Sequence, residues 1–455
     1  MKKTLKLIML VSAMIFAMSV PAFALTEGDW EFQLLDNEVM ITGYLGTDTD
    51  IVIPDEIYGC PVTAVETDSS KSLINAESIV FPKHLKSLYT LVVGNGSYRS
   101  KTLEKVVLPE GLEKIENSVF LDCEKLKEIN IPSTVTEIDY NAFNGCKSLK
   151  EIKIPENIKK IGFAAFANSG IEEIYLPYVE DLDGDVFAGC KNLKKATLAE
   201  GNKKLPSYIN GMFAECTSLS EVNLPDTIEI IVSGAFDNCA SLKEIILPVS
   251  LKEIHSAFGG TSISEIVVPY GTEKILGNAF GDNDSLKSVY IPDTVKEMNW
   301  QMLEGSNNAI IYCTADSYAA EFCKKNKISY LTDNSVNSGI TVLYNGTRIS
   351  FHSYGQNPEL LNSRTLVPLR SIFEAMGAEV EWDGNTKTAI AKRDGVTVKI
   401  QIGANEMYKG NEKIAVDVPA TILNDRTMVP ARVIAEAFGA DVQWNANGRT
   451  VLINE

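Results

Sequence analysis

Eight cysteines, three histidines and one run of spaced aspartates are the residues here whose types could support chemistry. Five cysteines, Cys123, Cys146, Cys190, Cys216 and Cys239, each sit three residues after a phenylalanine. A thiol ladder at fixed spacing could serve a soft metal or a redox relay. However, Ser169, Thr261 and Asn283 fill the same position elsewhere, so it accepts any small side chain. Stacked side chains also run parallel, which is poor disulfide geometry. Buried, reduced packing groups are the expectation. Cys313 and Cys323, outside this pattern, are the better disulfide pair in an exported protein.

Asp181-Leu-Asp-Gly-Asp185 spaces its carboxylates like a calcium loop. Leu182 falls where related segments are apolar, and no bidentate Glu follows, so a solvated turn is expected. Two arginine motifs, Arg364-Thr-Leu-Val-Pro-Leu-Arg370 and Arg426-Thr-Met-Val-Pro-Ala-Arg432, could meet an anionic wall polymer. The competing reading pairs Arg370 with Glu374 and Arg432 with Glu436, four apart on their helices. No Ser-His-Asp, Cys-His, carboxylate-dyad or phosphate-loop pattern stands out, so no catalytic residue, metal or cofactor is assigned.

The elements that carry these residues are repeats. Units begin at Leu103, Leu126, Leu149, Ile171, Leu193, Leu219, Leu242, Ile263 and Leu286, spaced 21 to 26 residues apart. Each opens apolar, then two mostly charged residues, then apolar–variable–apolar, and Pro follows in all but the fifth, which has Ala199. Phe120, Phe143, Phe166, Phe187, Phe213, Phe236, Phe258 and Phe280 recur further on, usually after Ala. Degenerate copies lie near Ile51-Val-Ile-Pro54 and Ile79-Val-Phe-Pro82. Each unit is too short to be stable alone, so coils stack and a parallel strand row results. Nine coils predict a sheet roughly 40 Å across. A cap is expected between Ile310 and Tyr330, closing a solenoid over 25–331, with a polar linker at 332–339.

Alternation turns the residue four after each start outward: Val107, Asn130, Lys153, Tyr175, Thr197, Asn223, Ile246, Val267 and Tyr290. Of these, Lys153, Tyr175, Asn223, Ile246, Val267 and Tyr290 are the candidate ligand-binding residues. Two positions earlier the column is mostly acidic: Glu128, Glu151, Glu173, Glu221, Glu244 and Glu265. Lys127, Lys150 and Lys243 beside it offset the repulsion in part.

Residues 340–455 repeat at an offset of 62: Arg364 with Arg426, Gly377 with Gly439, Trp382 with Trp444, Thr388 with Thr450. In each copy a strand ends at Pro368 or Pro430, a short helix follows, and Gly377 or Gly439 stops it. A small α+β domain is expected, and its two tryptophans, if core, add to the structural reading of the arginine motifs.

At the N-terminus, Lys2, Lys3 and Lys6 precede an apolar run to Val20 and then Ala22-Phe-Ala24. This is a secretory leader over 1–24, cut after Ala24. Its removal takes the net charge from −18 to −21. Such a surface disfavours nucleic acid and anionic lipid, and no second apolar run suggests membrane insertion.

The repeat units resemble the BspA-like class of leucine-rich repeats, across roughly 50 to 331, without the Asn ladder of the wider class. The C-terminal duplication resembles the stalk domain at the N-terminus of copper amine oxidases, found in exported proteins of Gram-positive anaerobes. Amine oxidase chemistry is not implied, because His84, His255 and His352 are scattered and no Asn-Tyr occurs to make the quinone. The resemblance implies a secreted, extracellular or wall-associated adhesin-like protein, and because no sorting, surface-layer or membrane-anchor pattern stands out, any attachment is expected to be non-covalent or indirect. Its partner is expected to be an extracellular protein or glycan, with cell-wall polymer among the candidates. Two other readings stand: a structural envelope protein whose C-terminal domain grips wall material, and, last, an enzyme without a recognisable site.

Overall fold

The computed structural model describes residues 25–67, 73–88, 94–95, 98–332, 340–345, 347–349, 351, 358–361, 364–423, 426–445 and 450–455. The leader, the linker beyond Thr332, and His352 lie outside the described residues. The fold is a repeat solenoid followed by a duplicated α+β domain, with two compact units, Met1–Pro225, Ile231–Lys243 and Ser256–Ser262 forming the first and the rest the second.

The first unit starts with an antiparallel meander, Leu25–Glu27, Trp30–Leu35 and Glu38–Tyr44. Its tight turn, Asp36-Asn37, has φ of 47° and 65°, which asparagine and aspartate tolerate. The degenerate copies form parallel strands Asp50–Val52 and Ser78–Val80, continued by Lys105–Val107 and Glu128–Ile129. Further along come Glu173–Leu176, Lys195–Leu198 and Glu221–Asn223. A second parallel row runs through Lys114–Ile115, Glu137–Ile138, Lys160–Ile161 and Asp181–Leu182. In the second unit the first row comprises Glu265–Val267, Ser288–Tyr290, Ile310–Cys313 and Tyr330–Thr332.

The first row is therefore not the single sheet the spacing predicts. No strand forms over 149–155 or 242–248. Between each opening turn and the proline only two to four residues can pair, so one missed ladder bond removes the strand. The predicted cap, in contrast, continues the row: Ile310–Cys313 pairs in parallel with Ser288–Tyr290 before helix α1 (Tyr318–Asn326) begins. Ser317 caps that helix by accepting the Ala320 N–H, and Lys327 ends it at φ 58°.

The interior is built from the phenylalanines, all eight fully buried. From Phe120 to Phe258 successive rings stack with centroids 5.2–5.8 Å apart and planes 2–16° from parallel. Two residues after each Phe the chain turns left-handed, at Asp122, Gly145, Asn168, Gly189, Glu215, Asn238, Gly260 and Asp282. Glycine is needed at several of these for a second reason. A Cβ on Gly145 would lie 2.3 Å from Asp122 Oδ1, and one on Gly189 2.4 Å from Asn168 Oδ1.

The C-terminal domain carries helices α2 (Leu369–Ala375) and α3 (Ala431–Ala437), each following a strand that ends at its proline. Those strands pair antiparallel, Val367 opposite Val429, joining the copies. Ile372, Phe373, Met376, Ile434 and Ala437 are buried as the helical spacing predicts. Gly377 and Gly439 adopt φ of 75° and 94° past the helix ends.

Candidate functional site

The predicted outward row is found in pieces. In the first unit Tyr175, Thr197 and Asn223 are register partners on three parallel strands, and Tyr175 is 49% exposed. Asn223 donates to Thr197 Oγ1 at 3.3 Å and to Glu221 Oε1 at 3.1 Å. Asn130 is committed elsewhere: its amide accepts from Leu108 N and donates to Leu108 O, both at 2.8 Å. Lys153 is exposed on the coil that lacks a strand.

In the second unit Val267 is paired with Tyr290, and Tyr290 with Tyr312. The tyrosine rings stack with centroids 4.8 Å apart and planes 19° from parallel. Leu331, 51% exposed, is opposite Tyr312 on the next strand. Ile246 is 44% exposed but lies where no strand forms. Tyr312 and Leu331 extend the row beyond what the repeat pattern indicates. The signal was the alternation Ile310-Ile-Tyr-Cys313, masked by the loss of the proline.

The acidic column is interrupted by lysines of its own row. Lys105 binds Glu128 at 2.7 Å and Lys195 binds Glu221 at 2.5 Å. These hydrogen bonds hold both carboxyls below the usual range, with Asn223 adding to the effect at Glu221. Lys127 and Lys150, read as partners within the column, instead bind Glu104 (2.7 Å) and Glu172 (3.2 Å). The row is thus a lattice of cross-coil ion pairs, exposed and individually weak.

The five repeat cysteines are buried free thiols. Burial pushes Cys123 and Cys239 up to about 12 and Cys190 to about 11. The position is not merely small. Cys146 Sγ donates to Phe120 O at 3.2 Å, Cys190 to Phe166 O at 3.1 Å, Cys216 to Phe187 O at 3.2 Å and Cys239 to Phe213 O at 3.1 Å. Where cysteine is absent, Thr261, Asn283 and Ser306 also donate to a phenylalanine carbonyl. Cys146, Cys190, Cys216, Cys239 and Ser306 thus reach the phenylalanine carbonyl of the preceding coil, and Thr261 and Asn283 that of their own coil, each adding a bond to a buried acceptor. Cys313 and Cys323 are also buried and unbonded. Burial, with Cys313 beside it, pushes Cys323 up to about 12.

Asp185 overturns the expected solvated turn. It is 1% exposed, and its carboxylate accepts backbone N–H groups from Tyr208 (3.3 Å), Ile209 (3.4 Å), Asn210 (3.1 Å) and Gly211 (2.9 Å). It anchors a longer turn peculiar to that coil, on which Tyr208 and Ile209 project at 74% and 70% exposure.

A shallow depression of about 780 Å³ on the second unit includes Lys252, Lys274 and Lys296. These lysines are engaged by Gly271 O, Glu253 and Asp293 O. Among the described residues no group of three His, Cys, Asp or Glu could hold a metal ion. No helix among them is long and apolar enough to cross a membrane.

In the C-terminal domain the i,i+4 pairs Arg370–Glu374 (3.9 Å) and Arg432–Glu436 (3.8 Å) are present. The tryptophans are not core: Trp382 is 45% and Trp444 38% exposed. Each stands on an edge strand of its sheet, on the same face as Val380 or Val442 two residues before it, so the indoles flank the core face and stay part-exposed at its margin.

Comparison with known proteins agrees with this architecture. The model described as BspA type leucine rich repeat region matches residues 91–211 and 209–319, and that of the copper amine oxidase N-terminal domain matches 343–453. Similar solved structures include a leucine-rich repeat protein from Bacteroides ovatus, 18% identical, covering 71% of this chain and 82% of that one, TM-score 0.49. A leucine rich cell surface protein from Faecalibacterium prausnitzii is 21% identical over 69% of this chain and 99% of that one, TM-score 0.37. The pneumococcal vaccine antigen PcpA is 18% identical with the same coverages and a TM-score of 0.40. No curated protein matches the chain.

Proposed function

Because this chain belongs to the BspA-type leucine-rich-repeat family, we propose that it is an exported, non-catalytic binding protein. It recognises an extracellular protein or glycan through the first strand row. The observation that carries this reading is the in-register line Val267–Tyr290–Tyr312–Leu331, apolar and part-exposed on otherwise charged coils. Stacked tyrosines give large contact area at low entropic cost, which suits a recognition surface. Export follows from the leader reading, with the mature chain starting at Leu25 and staying outside the cell, wall-associated or free.

The test is a screen of the full mature protein against purified wall, host-matrix proteins and glycans, repeated with Tyr290→Ser plus Tyr312→Ser. Loss of the retained ligand in a folded double variant supports the row as the site. Wall binding that survives both changes favours the structural alternative, in which the C-terminal domain does the holding. N-terminal sequencing of exported material tests the cut after Ala24.

A further inference from the structure

The two C-terminal copies meet around a cavity of about 560 Å³ that the strand row does not explain. The first copy supplies Arg364 and Thr365, the second Arg432, Gln443 and Trp444, and Asp417 comes from the segment between them; valines form the floor. Arg364 Nε meets Asp417 Oδ2 at 2.6 Å. Arg432 lies 3.8 Å from Glu436 and donates to Val442 O at 3.2 Å. Each guanidinium therefore has its own carboxylate, and the rim is close to neutral while offering both donors and acceptors.

The offset of 62 residues supplies an internal comparison, since it maps Gln443 onto Glu381 and Trp444 onto Trp382. Glu381 is tied to Lys392 at 2.8 Å. The copies thus share a part-exposed indole but differ beside it: the Gln443 amide donates to Asp441 at 2.8 Å and leaves its oxygen to accept, whereas the Glu381 acid is ion-paired.

An indole face beside a planar amide, a guanidinium and a carboxylate suits one kind of ligand. A pyranose ring has an apolar C–H face for the indole, and adjacent hydroxyls that such planar groups bind as donor and acceptor together. A polyanion would have to displace Asp417 and Glu436 from their arginines. We propose that this cavity is a subsite for a neutral pyranose ring of a glycan. The proposal stands on these residues alone and is separate from the reading of the strand row.

Isothermal titration of the full mature protein tests it, with cellotetraose and chitotetraose as neutral probes and polygalacturonate as the anionic one. At least one neutral tetrasaccharide should bind. Trp444→Ala should weaken it at least tenfold, Trp382→Ala less than twofold, and Gln443→Glu at least threefold. Gln443 is exposed, so that last change tests the site even where Trp444→Ala fails to fold, and Trp444→Phe should restore part of the affinity. Tyr290→Ser with Tyr312→Ser should leave the titration unchanged. No neutral binding, binding of polygalacturonate alone, or equal effects of the two tryptophan changes would overturn the assignment.

Discussion

Tyr290 and Tyr312 face one another on neighbouring parallel strands, their rings 4.8 Å apart and nearly parallel. The stack is half-buried, so its loss costs about 1 kcal/mol of stability. Replacing both by serine should therefore leave the protein folded while weakening the retained ligand at least tenfold, as loss of a hot spot does. Titration alongside thermal melts separates the two effects; unchanged affinity moves the site elsewhere.

The cysteine ladder predicts a ranking. Cys146→Ala removes one of two donors to the Phe120 carbonyl, which keeps the Cys123 N–H at 3.2 Å, and should cost about 0.5–1.5 kcal/mol for the lost bond. Cys146→Ser keeps a donor, as Ser306 does naturally, and should cost less. Denaturant titration of both variants decides the order, and equal losses would reduce the position to size alone.

The same thiols predict alkaline sensitivity. Their native values lie above the ordinary value of 9.0 because burial disfavours the thiolate, so the unfolded chain gives up protons first. Stability should be fully present below pH 9 and fall as pH rises toward about 12. A Cys123→Ser, Cys239→Ser variant should show a shallower decline in midpoint over that window. Slow labelling of the native protein by a bulky thiol reagent checks the burial independently.

Asp185 should be among the least replaceable polar residues. Asp185→Ala leaves the buried Gly211 N–H without its acceptor, at about 1–3 kcal/mol, and frees three part-buried N–H groups of the same turn. Loss of folding, or a large drop in midpoint with faster proteolytic cutting at the already exposed Tyr208 and Ile209, is the expected result. A neutral outcome would show that the turn holds itself.

Arg393 grips Glu455 through two bonds, Nη1–Oε1 at 2.5 Å and Nη2–Oε2 at 2.8 Å, and Tyr344 adds a third at 2.7 Å. The arginine holds this carboxyl below its ordinary 4.5. Its contribution is present above pH 4.5 and is lost as pH falls through the lower native value. Glu455→Gln should be less stable at pH 7 and lose less on acidification, read by melts between pH 7 and 3.

Repeats, phenylalanines and the C-terminal duplication were legible because packing writes its period directly into the chain. What stayed hidden depended on contacts between coils. Asp185 resembles a surface aspartate until the longer turn at Tyr208 folds its amides over it. Tyr312 reads as cap because Cys313 replaces the features that mark a repeat, although Ile311 still points inward. Trp382 and Trp444 do share the inward face with Val380 and Val442, but their strands are sheet edges, where the indoles remain part-exposed. The hairpin at Asp36-Asn37 carried a turn signal with alternating neighbours and could have been read.

The left-handed turn after each phenylalanine bears on how such an array can lengthen. Asp122 leans over Gly145, and Asn168 over Gly189, because the glycine has no Cβ to meet them. Along this stretch a coil with a side chain at the turn is followed by one without. Copying a single coil into it would set two side chains or two glycines in succession, as Glu215 and Asn238 already stand further along, whereas copying a pair preserves the alternation. Over this stretch the turn chemistry therefore repeats every two coils, a period twice that of the sequence repeat.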